Sequence, residues 1–209
     1  GNESGVSFVE TDLIADTLVA KINEVHGLSC LPLNRTLAAM RARNLTAIRS
    51  PADARLLAAT IGADAVVVGN ITAYDPYNPP KLGLSLAVFS RDRQAADPFD
   101  PMRLRTSYSD SDYGVSNSRF ADKPVAVISE HLDGASHDVQ MNLSRYAAGR
   151  HDGESALGWK GHLSNMSLYT EFAAHHAIAR LLEQERLRVG LPRTTPGGRT
   201  ATTSAQPQR

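Results

Sequence analysis

The segment from Ser50 to Thr72 constrains the fold more than any other part of the chain. It begins with the clearest helix start in the sequence. Ser50 is a good N-cap, Pro51 fits the first helical position, and Asp53 places negative charge in the first turn. The spacing predicts a helix to about Ile61, with Leu56, Leu57 and Ile61 on its apolar side and Gly62 ending it. Three residues later, Ala65-Val-Val-Val-Gly-Asn-Ile-Thr72 reads as a strand. Its three consecutive valines point to burial on both faces, as in a central strand.

The pattern continues as a hairpin. Tyr74-Asp-Pro-Tyr-Asn-Pro-Pro80 is punctuated by proline and asparagine, so no helix passes through it. From Leu82 to Phe89, Leu82, Leu84, Leu86 and Val88 alternate with smaller residues, which predicts a second strand antiparallel to the first.

Upstream, Ile14, Leu18, Ile22 and Val25 share a face and predict a helix over Thr11–Val25, capped by Thr11 or Asp12 and ended by Gly27. Leu28–Leu33 reads as a short strand with Pro32 near its end. Asn34 can cap a helix over Arg35–Arg43, with Leu37 and Met40 inward. Downstream, residues 91–118 are polar and read as an irregular insertion with room for one strand around Arg103–Tyr108. Pro124–Ile128 fits a short strand or the start of a helix, and Asp138–Ala148 reads as a helix with Val139, Leu143 and Tyr146 on one stripe. His151–Gly161 is a connector, with Trp159 as a core plug. Leu168–Leu187 is the longest helix, with Leu168, Phe172, His175, Ala179 and Leu182 on its inner face. From residue 191 the chain is rich in Pro, Gly and Thr and poor in apolar residues. Burial there cannot offset ordering entropy, so disorder is expected over 191–209. The expectation is one α/β domain over 1–190 with a core of 6–90 and 120–190. It is a mixed sheet with helices packed on it in two or three layers.

The 22 basic and 22 acidic residues balance, so no basic face invites nucleic acid. The single cysteine, Cys30, forms no intramolecular disulfide and reads as a small buried hydrophobe. No apolar run approaches the roughly 18 residues of a membrane span. Gly1 rather than Met at the start reads as processing or truncation.

Catalytic and metal signatures are missing from the sequence. His175 and His176 are adjacent rather than four apart, and His131 and His137 are six apart without cysteines nearby. Gly-x-Ser-x-Gly and the Walker pattern do not occur. The expected site therefore lies on the hairpin turn, where Tyr74, Asp75, Tyr77 and Asn78 would contact a partner: tyrosine rings are flat, amphipathic anchors. The bland alternative has proline and aspartate building the turn while the tyrosines cover the sheet edge. No metal and no cofactor is implied.

Leu56-Leu-Ala-Ala-Thr-Ile-Gly-Ala-Asp-Ala-Val-Val-Val-Gly-Asn-Ile-Thr72 resembles a helix, Gly-Ala-Asp, strand signature of an envelope-protein group. That group includes the N-terminal domain of TolB, the curli-secretion lipoprotein CsgG and the penicillin-binding-protein activator LpoB. Asn2-Glu-Ser-Gly5 resembles the Asn-x-Ser-Gly that follows the first strand of those proteins, so that strand would lie upstream of Gly1. The resemblance spans residues 2–90. It implies an exported, non-enzymatic domain, periplasmic or anchored to an outer membrane from upstream of residue 1. Such a domain assembles with, docks on or regulates envelope proteins, in secretion or cell-wall work, or assembles with itself. Two other functions remain open. One is small-molecule binding in a cleft between the sheet and the 91–118 insertion. The other is a hydrolase built from His131 or His137 with Asp75.

Overall fold

The computed structural model describes residues 1–91, 123–150 and 156–188. Its elements, in order, are α1 (Thr11–Asn23), α2 (Leu33–Ala42), α3 (Pro51–Ile61), β1 (Ala65–Asp75), β2 (Lys81–Ser90), β3 (Ala126–Asp133) and α4 (His137–Ala147). A 3-10 turn (Gly158–Lys160), α5 (Gly161–Ser164) and α6 (Met166–Arg188) complete it. Among the described residues the sheet has three antiparallel strands in the order β1-β2-β3. The expected insertion over 91–118 lies, from residue 92 on, outside the described residues, as does the expected tail over 191–209.

Strand alternation assigns the two faces of the sheet. Leu82, Leu84 and Leu86 of β2 are paired with Leu132, Glu130 and Ile128 of β3 and share one face. On that face lies the main core, built with Val9 and Ile14 at α1, Val139, Leu143 and Tyr146 of α4, and Tyr169, Phe172, Ala173, Ala177 and Leu181 of α6. Val66 and Val68 are paired with Phe89 and Ala87, so they point to the opposite face. There they meet Leu57 and Ala58 of α3 and Met40 of α2 in a smaller cluster. The fold is mixed α/β, with helices on both faces of β1.

The predicted start of α3 is realised in full. The Ser50 hydroxyl accepts from the Asp53 amide at 3.1 Å, and the Asp53 carboxylate accepts from the Ser50 amide at 3.0 Å. This capping box satisfies two amides that the helix leaves unpaired. Gly62 closes the helix at φ 72°, a conformation costly for other residues. Ser50→Ala is expected to destabilise the protein by about 1 kcal/mol, measured as a lower urea midpoint at unchanged slope. An unchanged midpoint would show that the cap does not matter to the folded state.

Several expectations are corrected. The expected strand over Leu28–Leu33 does not form, because the Cys30 amide donates to the Asn23 side chain at 2.7 Å instead of to a ladder. Cys30 is accordingly half-buried rather than buried. α2 starts at Leu33 with Pro32 in the N-cap position, so Asn34 sits inside the helix and caps nothing. α1 ends at Asn23 with Glu24 as its C-cap, before Gly27. The valine strand is not central among the described residues. β1 is at one end of the ladder, with Val66 buried and Val67 exposed. Beside it the first residues run parallel: Glu3 donates its amide to Ile71 at 2.8 Å, and Ile71 donates to Gly1 at 2.9 Å.

Of the stripe predicted for α6 only Phe172 is buried; Leu168 and Leu182 are half-buried, and His175 and Ala179 are exposed. The buried set is Tyr169, Thr170, Phe172, Ala173, Ala174, Ala177, Ile178 and Leu181. The strand alternative at Pro124–Ile128 is the observed one, and the stripe of α4 is as predicted. Trp159 packs partly buried against the main core.

Candidate functional site

The hairpin β1–β2 presents its turn at the end of the sheet beside the start of α1. Its geometry depends on a bulge. Ile71 is paired with Leu84 and Ala73 with Gly83, so Thr72 is an extra residue in β1. An extra residue reverses the alternation beyond it. Tyr74 therefore falls on the main-core side, opposite Leu82, and Asp75 falls on the other side, opposite Lys81.

Tyr74 is half-buried against the main core, and Phe8 meets it edge-on, with ring centres 6.0 Å apart at 75°. Burial, followed by the nearby Glu10 charge, raises the Tyr74 pKa, so the hydroxyl stays protonated. Asp75 turns the chain: its carboxylate accepts from the Tyr77 amide at 3.1 Å. Tyr77 and Asn78 stand outward, Tyr77 at 77% exposure and Phe8 at 63%. Below them Pro80 is buried, and its carbonyl accepts from the Gly134 amide at 2.8 Å, which ties the turn to the β3–α4 corner.

On the face away from the main core, Asp75, Lys81 and Asp133 lie side by side across the three strands. Lys81 is 2.9 Å from Asp133, whose carboxylate also accepts from the Ala135 amide at 2.9 Å. That amide, and then Lys81, hold the Asp133 carboxyl below the usual range. The row braces the strand ends that carry the turn.

The structure brings all four predicted residues to one tip but gives them different work. Tyr74 and Asp75 build the turn, whereas Tyr77 and Asn78 are presented to solvent. Phe8 joins them and was missed by the sequence reading. A local signal does point to it. Val9 and Ile14 occupy the two positions of a hydrophobic staple around the α1 N-terminus, and both are buried in the main core. With Val9 directed inward, Phe8 is left outside.

The other chemistry is sparse. Among the described residues no group of three or more His, Cys, Asp or Glu side chains could hold a metal ion. His131 and His137 are surface residues on β3 and α4, and no hydrogen bond joins either to Asp75 among the described residues. An open groove of about 290 Å³ between α1 and α2 is lined by Asp12, Asp16, Leu33 and Leu37. The expected cleft against the 91–118 insertion lies almost wholly outside the described residues. No described helix is long and apolar enough to cross a membrane.

No protein-family model, curated protein or solved structure matches this chain. The likeness of residues 2–90 to the envelope-protein group therefore rests on the sequence motifs alone.

Proposed function

We propose that this chain is a non-catalytic domain of the cell envelope that works by docking on other envelope proteins. The reading places it in the periplasm or at an outer membrane, held there by a segment upstream of residue 1. Its contact surface is the hairpin tip, with Tyr77 and Phe8 as anchors and Asn78 as a polar contact. The observation that carries this is the exposure of two large aromatic rings on a braced support. Exposed apolar residues scattered singly need no explanation, but here Phe8, Tyr74 and Tyr77 gather at one place. Aromatic side chains on a firm base lose little entropy on binding and so make strong anchors.

Tyr77 makes no contact that the fold needs, so Tyr77→Ala is expected to change stability by no more than about 0.5 kcal/mol. The test replaces Tyr77 with a photo-crosslinking residue and irradiates the protein in an envelope extract. One discrete adduct, lost when Phe8→Ala is added while thermal unfolding stays unchanged, is the expected result. An adduct of the size of a second copy, together with a larger mass by light scattering, would identify self-assembly as the docking event. Diffuse adducts that ignore Phe8→Ala would overturn the reading.

A further inference from the structure

α6 carries two histidines in succession, and they face different elements. His175 leans on α4, its ring centre 4.9 Å from that of Tyr146. The Tyr146 ring already has the Arg150 guanidinium 4.6 Å from its centre and Lys21 Nζ at 5.9 Å. Lys21 comes from α1 and is paired with Glu24 at 2.7 Å and with Glu171 of α6 at 3.5 Å. His162 of α5 meets the same ring edge-on at 6.1 Å. His176 turns toward the sheet, with Nε2 3.7 Å from one oxygen of Glu130 on β3 and its ring 6.0 Å from Phe172. Arg180 Nε lies 3.3 Å from the other Glu130 oxygen, and Arg180 also reaches Glu183 at 2.9 Å.

We propose that His175 is an acid-sensing contact: its protonation parts the end of α4, Tyr146–Arg150, from α6, while His176 and Glu130 keep α6 on the sheet. Around His175 the described charges balance, Lys21 and Arg150 against Glu24 and Glu171. A proton on His175 puts a third cation against a ring that already carries two. A proton on His176 instead completes an ion pair with Glu130. The two histidines thus take up a proton in different surroundings, His175 beside cations and His176 beside a carboxylate.

Titration supports the direction. Partial burial, and then Arg150, lower the His175 pKa; burial lowers that of His176 against the pull of Glu130. A folded-state pKa below the unfolded value means that the folded protein binds fewer protons. The stability tied to the neutral rings is then fully present above the unfolded value of about 6.5 and is lost as pH falls below it through the lower folded-state pKa. The end of α4 is the weak point. The Ala148 amide holds on to Ser144 at 3.1 Å and the Arg150 amide to Ala147 at 2.9 Å, with Gly149 between them at φ 76°.

Hydrogen exchange of the whole chain at about pH 7.5 and about pH 5, corrected for the intrinsic pH dependence, reads this directly. Amides of Ala148 and Arg150 are expected to lose protection severalfold at the lower pH, with those of α6 near Ile178 unchanged. His175→Gln should abolish the loss, and His176→Gln should leave it. Arg150→Gln removes the neighbouring cation, so the midpoint should move to higher pH in an imidazole titration of the otherwise intact protein. Protection at Ala148 and Arg150 that does not change with pH, or that falls equally in His175→Gln, would overturn the proposal. If His175→Gln does not fold, an unmoved midpoint in Arg150→Gln overturns it alone.

Discussion

Phe172→Ala is expected to be the most damaging single substitution in the molecule, at about 3–5 kcal/mol. Phe172 is 1% exposed and lies at the centre of an aromatic group, its ring centre 5.7 Å from Tyr146, 5.8 Å from Tyr169 and 6.0 Å from His176. It sits where α6, α4 and the leucine face of the sheet converge in one cluster. Truncation removes the buried ring and leaves a hole walled by residues from three elements, which cannot all close in together. A domain of this size is held by about 5–15 kcal/mol in total, so the loss is a large share of what exists. In thermal unfolding the midpoint should fall by about 10 °C or more. Leu187→Ala, at the far end of the same helix with 59% exposure, serves as the control and should move it little. Equal shifts for the two variants would mean that α6 does not dock through Phe172.

The same helix shows where a sequence stops being informative. Helical spacing puts Leu168, Phe172, His175, Ala179 and Leu182 on the inner face, and of these only Phe172 is buried. Around it the buried set centres on Tyr169 and the alanines at 173, 174 and 177 rather than on Leu168 and Leu182. α6 packs on the sheet, on α1 and on α5 at once. Small residues let backbones come close on several sides, and that width is invisible to a one-face periodicity. Local chemistry was legible wherever it was self-contained. Ser50 and Asp53 need only each other, and Gly62 needs only its own backbone, so α3 could be bounded from its residues. The alternating leucines of β2 fixed its buried face because Leu82, Leu84 and Leu86 meet one continuous core. Failures came where a distant partner decides. Leu28–Leu33 has strand composition, but Asn23 captures the Cys30 amide. Val66, Val67 and Val68 look alike, yet only pairing order says that β1 ends the described ladder. At the candidate site, Tyr74 to Asn78 were legible as a turn from proline and asparagine. The exposure of Phe8 has a local signal in the Val9 and Ile14 staple, but its contact with Tyr74 does not, because it spans sixty-odd residues of chain by way of a bulge that no composition announces.

That bulge makes Gly83→Ala the second substitution with a large expected effect, about 1–3 kcal/mol. A Cβ at Gly83 would stand 2.8 Å from the Ala73 amide nitrogen and 3.0 Å from the Ala73 Cβ, with the Thr72 hydroxyl nearer still. The Thr72 side chain can rotate away, but the backbone of Ala73 is held in the ladder opposite Gly83. Relief requires β1 to move off β2 at the point where Thr72 is accommodated. The residues beyond that point are Tyr74 and Asp75, whose sides of the sheet the bulge itself determines. Loss of stability should therefore come with a change at the tip that a remote destabilising variant would not produce. In spectra of the aromatic protons, the Phe8 and Tyr74 signals should shift in Gly83→Ala and stay in place in Ser50→Ala, although both variants unfold at lower urea. The adduct formed through Tyr77 should weaken in the first and persist in the second, since α3 lies at the far end of β1. Unmoved Phe8 and Tyr74 signals in Gly83→Ala would show that the glycine is not what holds the bulge, and would leave the aromatic tip without its structural cause.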